Sequence, residues 1–202
     1  DRALEAALKV FWRDGFQAAS LTALTEAMGI SRPSLYSAFG DKASLYIKAF
    51  ERYVALELAE HRRALEAEPA VGEAVAACLF SAVRAMTDPD KPRGCFIVNG
   101  VADCGSPGMP GEVEEALLRS MQGAAAMFAE RLARGVDDRQ LPADADVDGL
   151  AAYLATVLSG LAVQAQAGVS FEVLRSVIGV ALSAWPRSTA AAMDDSGFAA
   201  HA

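Results

Sequence analysis

Residue types that usually carry catalysis or bind metals are scarce in this 202-residue chain. There are two histidines, His61 and His201, and three cysteines, Cys78, Cys95 and Cys104, whose spacing offers no close pair for a metal or a redox couple. No glycine-rich phosphate loop, Gly-x-Ser-x-Gly elbow or metal-ligand cluster occurs, so no cofactor or metal is expected. The acids fall mostly at helix starts and exposed faces, where they suit the helix dipole, and the chain does not read as an enzyme. An odd set of unframed cysteines suits a reduced, cytoplasmic protein. Aromatics make up only 7% and alternating β-branched runs are missing, so no strand is legible and the expected class is all-α. The first residues, DRALEAALKV, lack the basic head and apolar run of a secretion signal.

Basic charge is also in short supply. A net charge of −8 argues at first against nucleic acid, because phosphate contacts need Lys and Arg to displace counterions. The distribution changes that reading. Residues 1–48 carry six basic against five acidic groups, whereas residues 49–202 carry twelve against twenty-one. The acidity belongs to the second part.

What is plentiful is alanine, leucine and helical punctuation, with 53% hydrophobic residues, enough for one large or two small cores. Leu4, Leu8, Phe11 and Trp12 recur at helical spacing, and the first helix is expected to stop at Asp14-Gly15. Ser20 or Thr22 can cap a second helix with a Leu21, Leu24, Met28 stripe, ended by Gly29. Ser31 caps a third, with Pro33 in its first turn, and Asp41 a fourth that keeps its period through Leu45, Phe50, Val54, Leu58 and Leu65. Longer helical segments follow at 71–87, 94–104, 112–134, 147–168 and 171–185, and 187–202 reads as a weakly ordered tail. Residues 149–171 hold no charge and are long enough to span a bilayer. Polar residues and three glycines dilute them, so a buried helix of a soluble dimer, with no membrane partner, is expected.

The stretch GISRPSLYSAFGDKASLY explains why two clipped helices stand where one longer helix would be more stable. A three-residue glycine turn sets them at a steep angle, which is helix-turn-helix geometry. In that geometry the second helix enters the major groove of double-stranded DNA by its N-terminal residues. Arg32 can donate two hydrogen bonds to guanine, Ser34 can meet a base or a phosphate, and Pro33 and Tyr36 offer apolar surface to a thymine methyl. Thr22 and Lys42, at the starts of helices two and four, are placed for phosphates. Leu35 and Phe39 turn inward. A helical protein-interaction module with a head unable to bind DNA is the alternative reading of the same spacing.

The run AALKVFWRDGFQAASLTALTEAMGISRPSLYSAFGDKASLY resembles the DNA-binding domain of the TetR (tetracycline repressor) family: a helix ending in G-F, a capped apolar second helix, G-I-S, then L-Y-x-x-F-x-x-K-x-x-L. The likeness covers Ala6 to Phe50 without a gap. It implies a DNA-binding domain over 1–47 and a helical ligand-binding and dimerisation domain over 48–186, about nine helices in all. It also implies a homodimeric, ligand-responsive repressor on a palindromic operator. The implied DNA-contacting set is Ser20, Thr22, Arg32, Pro33, Ser34, Tyr36, Ser37 and Lys42. Ala19 stands where threonine is common, and Ser37-Ala38 replaces a bulkier pair, so sequence preference is altered rather than fold.

PRGCFIVNGVADCGSPGMPGEVEEALL resembles the start of a ligand-domain helix in one branch of that family. Phe80, Cys95, Phe96, Asn99, Met121, Phe128 and Tyr153 are the candidate lining of an interhelical pocket, and few charges fall on their faces, so the expected effector is small and hydrophobic or aromatic. Cys95 follows a glycine at a helix N-terminus, where the dipole can lower a thiol's pKa. Helices near 147–168 and 171–185 are the expected dimer interface. Ala155, Ser159, Gly160 and Ala162 allow close approach there, and Leu174, Val177, Ile178 and Leu182 form a matching stripe.

Overall fold

Side-chain caps decide where the first helices begin. In the computed structural model, which describes residues 2–183, α1 spans Arg2–Ala18, α2 Leu21–Met28 and α3 Arg32–Phe39. Ser20 Oγ accepts from Ala23 N at 3.0 Å, Ser31 Oγ from Ser34 N at 3.2 Å, and Asp41 Oδ1 from Ser44 N at 2.7 Å. Each satisfies a helix-start N–H that would otherwise be orphaned. Gly29, left-handed at φ 67°, ends α2, and Ile30 N closes the turn onto Thr25 O at 3.1 Å.

The first helix is interrupted at Gly15, the residue at which it is expected to stop. That residue takes φ 74°, a region closed to most side chains, and the helix breaks there but resumes as far as Ala18. What holds the second half is tertiary: Gln17 N points at Asp103 Oδ2, and Gln17 Nε2 donates to Pro107 O at 3.3 Å.

The fourth helix, α4, runs over Lys42–Tyr53, passes through a π-helical turn at Val54–Leu58 and continues over Ala59–Ala67. The π turn shows as Ala59 N bonding Val54 O, five residues back. It inserts an extra residue and shifts the helix face. Before it the buried positions are Leu45, Tyr46, Ala49 and Tyr53; after it they are His61 and Leu65, and Leu56 is left exposed.

Five more helices complete the nine seen among the described residues: α5 Val71–Met86, α6 Phe96–Val101, α7 Gly111–Asp137, α8 Val147–Gln166 and α9 Phe171–Ser183. The expected tail over 187–202, with His201, lies outside the described residues. Arg131, buried on α7, donates to Glu68 O and Pro69 O at 3.0 Å each, tying down the end of α4. Core positions on α5 (Val75, Cys78, Leu79, Ala82, Val83) have no exposure and form the centre against which α8 and α9 pack.

The charge-free stretch 149–171 is one helix, a turn and the start of another, in line with the expected segments, and 22% of the most apolar window of α8 is buried within the single chain. Length and composition would let α8 span a bilayer, and it is the one such helix among the described residues. On α9, Leu174 and Ile178 face inward onto the core, so the outward stripe is Val173, Val177 and Val180 instead.

Candidate nucleic-acid interface and interhelical cavity

Eight residues make α3, and they divide cleanly. Leu35 is fully buried and Phe39 packs partly against the core, while Ser31, Arg32, Pro33, Ser34, Tyr36 and Ser37 are exposed. Tyr36 leaves 48% of its surface, including ring carbon that would otherwise favour burial, in solvent. Arg32 is not free in this state: its Nη2 donates to Thr22 Oγ1 at 2.7 Å, which links the starts of α2 and α3. Ser31 and Ser34 hydroxyls lie 2.9 Å apart. Ser20 and Thr22 are exposed at the head of α2, although the Ser20 side chain is engaged as a cap.

Lys42 sits differently from a freely solvated phosphate-seeking lysine. Its Nζ lies 4.6 Å from the centre of the Phe16 ring and 3.5 Å from Gln17 O. Burial pushes its pKa down, and Asp103 partly opposes that shift. The ammonium is thus held against the ring face by cation–π attraction.

The head meets the body through aromatic rings. Tyr46 stands edge-on to Phe11 at 4.9 Å and to Phe16 at 5.5 Å, and reaches Phe96 of α6 at 5.0 Å. Tyr53 is stacked on Phe96 at 5.4 Å and edge-on to Trp12 at 4.9 Å. Asn99, one turn along α6, donates from Nδ2 to Trp12 O at 3.1 Å. Trp12 stands just before the Gly15 break, so its carbonyl lies where the regular ladder of α1 fails. Gly100 lets α6 come this close: a Cβ there would lie 2.6 Å from the Tyr46 hydroxyl.

Beside the seam lies a cavity of about 480 Å³ between α4, α6, α7 and α8, and its walls include Tyr53, Val54, Leu58, Met86, Ile97 and Met127. The π turn of α4 forms one wall. Polar groups reach it from His61, Arg62, Ser120 and Ser159. His61 is buried, its Nδ1 lies 3.0 Å from Ser81 Oγ, and burial lowers its pKa. Tyr53 Oη donates to Cys95 Sγ at 3.3 Å. Burial pushes the Cys95 thiol pKa up. Hydrogen bonds from Tyr53 and from the Val98 and Ile97 amides oppose that without reversing it, so the thiolate expected at this helix start is not favoured.

Of the seven residues expected around a pocket, Cys95 and Met121 line this cavity. Phe96 and Phe128 do not: both are packed solid in the core, at 1% and 0% exposure. Phe80 packs against the core, Asn99 turns its Nδ2 to Trp12 O, and Tyr153 faces outward from α8. A void forms where side chains are small or flexible, here at Ala59, Gly123, Ala124 and Met127, while the large aromatics fill their space.

Known proteins share this whole plan. Residues 3–49 match the family model described as bacterial regulatory proteins, tetR family, and residues 72–179 the one described as tetracyclin repressor-like, C-terminal domain. The HTH-type transcriptional repressor ComR of Escherichia coli (strain K12) is 34% identical over 92% of this chain and 88% of its own length. The TetR family transcriptional regulator CifR, solved as a cysteine mutant complexed with 26-bp double-strand operator DNA, is 41% identical. That alignment has a TM-score of 0.87 and covers 92% of this chain and 97% of CifR. A transcriptional regulator from Rhodococcus sp. RHA1 gives 32% identity and a TM-score of 0.62, covering 92% and 98% of the two chains.

Proposed function

Because this chain belongs to the TetR family, it is a DNA-binding transcriptional regulator, and we propose that it works as a cytoplasmic homodimeric repressor, released from a palindromic operator by a small hydrophobic effector. The observation that carries the DNA half is α3 itself. A helix this short has little stability of its own, yet it is anchored by the buried Leu35 and the half-buried Phe39 and turns Arg32, Pro33, Ser34, Tyr36 and Ser37 outward together. That is the face a major groove accepts. Ser20, Thr22 and Lys42 flank it for the backbone, with Lys42 leaving the Phe16 ring to do so. The CifR complexes with operator DNA support the same partner for this chain.

Residues 1–47 serve as the head and 48–186 as the body in this reading. The dimer interface is the outward face of α8 and α9. Val163, Val173, Val177 and Val180 are all more than 40% exposed, an apolar patch that a lone chain rarely leaves uncovered. Gly160 has nothing within 4 Å of where its Cβ would stand, so a partner helix has room to approach. The apolar cavity takes the effector. One helix, α4, forms a cavity wall at Val54–Leu58 and carries Tyr46 into the head, so a change at one end is felt at the other. To release DNA usefully the effector must favour the released state by about 1 to 3 kcal/mol or more.

Selection from random duplexes tests this directly. A palindromic consensus should emerge whose half-site centres lie about 34 Å apart, or a multiple of that, and Tyr36→Ala should bind it far more weakly than the parent. Enrichment of no duplex by a folded dimer would remove the repressor from consideration.

A further inference from the structure

The cavity that the reading above gives to an effector is lopsided in its chemistry. Three methionines, Met86, Met121 and Met127, line it with Val54, Leu58 and Ile97, and no aspartate or glutamate does. Its one formal charge is Arg62, exposed at the edge and without an ion-pair partner among the described residues. Its neighbours in the second half of α4 and at the seam are paired, Arg63 with Glu60 at 3.2 Å and Arg52 with Glu5 at 2.6 Å. Beside Arg62 in the chain, His61 is 6% exposed and also lines the cavity. In the tautomer whose Nδ1 accepts from the Ser81 hydroxyl, 3.0 Å away, Nε2 carries the hydrogen and is a donor.

Two acids influence His61, Glu57 and Glu60. Each already has a cation, since Lys91 Nζ is 2.6 Å from Glu57 and Arg63 is on Glu60. Neither leaves an uncompensated negative charge at this end of the cavity.

Resting on the proposal that this cavity is the effector site, we infer that the effector is a monoanionic amphiphile. Its single carboxylate or comparable acid group is held by Arg62 and His61, and its apolar body lies in the methionine-lined chamber. A cationic head would meet Arg62 with no acid to receive it. A head with two or more charges would have one cation for them all and would lose hydration without replacement. The body is less strictly specified, because methionine side chains are flexible and polarisable and repack around different shapes. Selectivity therefore resides in the head.

Decanoate, decanol and decylamine share one chain and differ only at that head. Calorimetric titration of the full chain should show decanoate binding about tenfold or more tighter than decanol, as a charge-assisted hydrogen-bonded head allows, with decylamine weakest. Arg62→Gln should bring decanoate down to the level of decanol while decanol itself is unchanged, a pattern that general damage to the fold would not produce. Equal affinity for the three heads, a preference for decanol or decylamine, or no binding of any of them overturns the inference. Operator binding by the ligand-free protein is measured separately. Its absence would count against the repressor and not against the head-group preference, which the calorimetry decides alone.

Discussion

Replacing Arg32 by alanine separates a base-reading residue from an ornament of the surface. In the free chain its guanidinium is exposed and held only by the 2.7 Å bond to Thr22 Oγ1. An exposed bond of that kind contributes about 0.5 to 1.5 kcal/mol at most, so Arg32→Ala should leave stability nearly unchanged. Its effect on DNA should be much larger. One bidentate contact to guanine discriminates by about 1 to 3 kcal/mol, and two symmetric half-sites double that to about 2 to 6 kcal/mol, or about 30-fold to 10⁴-fold in affinity. The contact requires the Thr22 bond to open, so Thr22→Ala releases Arg32 at the cost of one hydroxyl and should change affinity far less. Fluorescence anisotropy on the selected duplex and on single-base variants, repeated across salt concentrations, distinguishes the roles. A base contact predicts that Arg32→Ala flattens discrimination at one position of each half-site. A phosphate contact predicts uniform weakening and a salt slope reduced by about 0.9 per contact. Undiminished affinity and unchanged base preference in a folded Arg32→Ala protein would refute the assignment of α3 as the reading helix.

Other outcomes follow from the same geometry. Leu35→Ala removes the side chain that fastens α3 and should destabilise the head by about 2 to 5 kcal/mol, visible as a lower denaturant midpoint with loss of operator binding. Gly100→Ala drives a methyl to 2.6 Å from the Tyr46 hydroxyl, and over-packing of this kind should cost about 1 to 3 kcal/mol by the same assay. Val177→Glu places a charge in the outward patch of α9 and should shift the protein to a monomer in analytical ultracentrifugation, with operator affinity falling accordingly. His61 has its pKa lowered by burial, which outweighs the pull of Glu57 and Glu60. The unfolded chain therefore binds this proton first, so stability present above about pH 6.5 is lost as pH falls towards the folded-state pKa. A pH series of thermal melts should show that loss, and it should shrink in His61→Gln.

Local signals read well where the physics is local. Ser20, Ser31 and Asp41 cap the helices they precede because a side-chain oxygen three residues from an orphaned N–H needs no distant partner. Lys42, by contrast, reads as a phosphate contact because the ring that holds it, Phe16, is separated from it by two helices. Asn99 reads as pocket lining, but the acceptor of its Nδ2 is a carbonyl of α1, 87 residues away.

By itself the sequence determined the helices, their caps, the steep turn at Gly29 and the outward residues of α3, because each depends on neighbours within one or two turns. Tertiary structure alone decided which faces close on one another. The π turn at Val54–Leu58 shifts the inner face of α4, the break at Gly15 is held open from Asp103, and the large aromatics fill the seam and core while alanine, glycine and methionine leave the void. A cavity is the space that packing fails to fill, and that depends on the directions of side chains from four helices at once, which no single stretch of residues records.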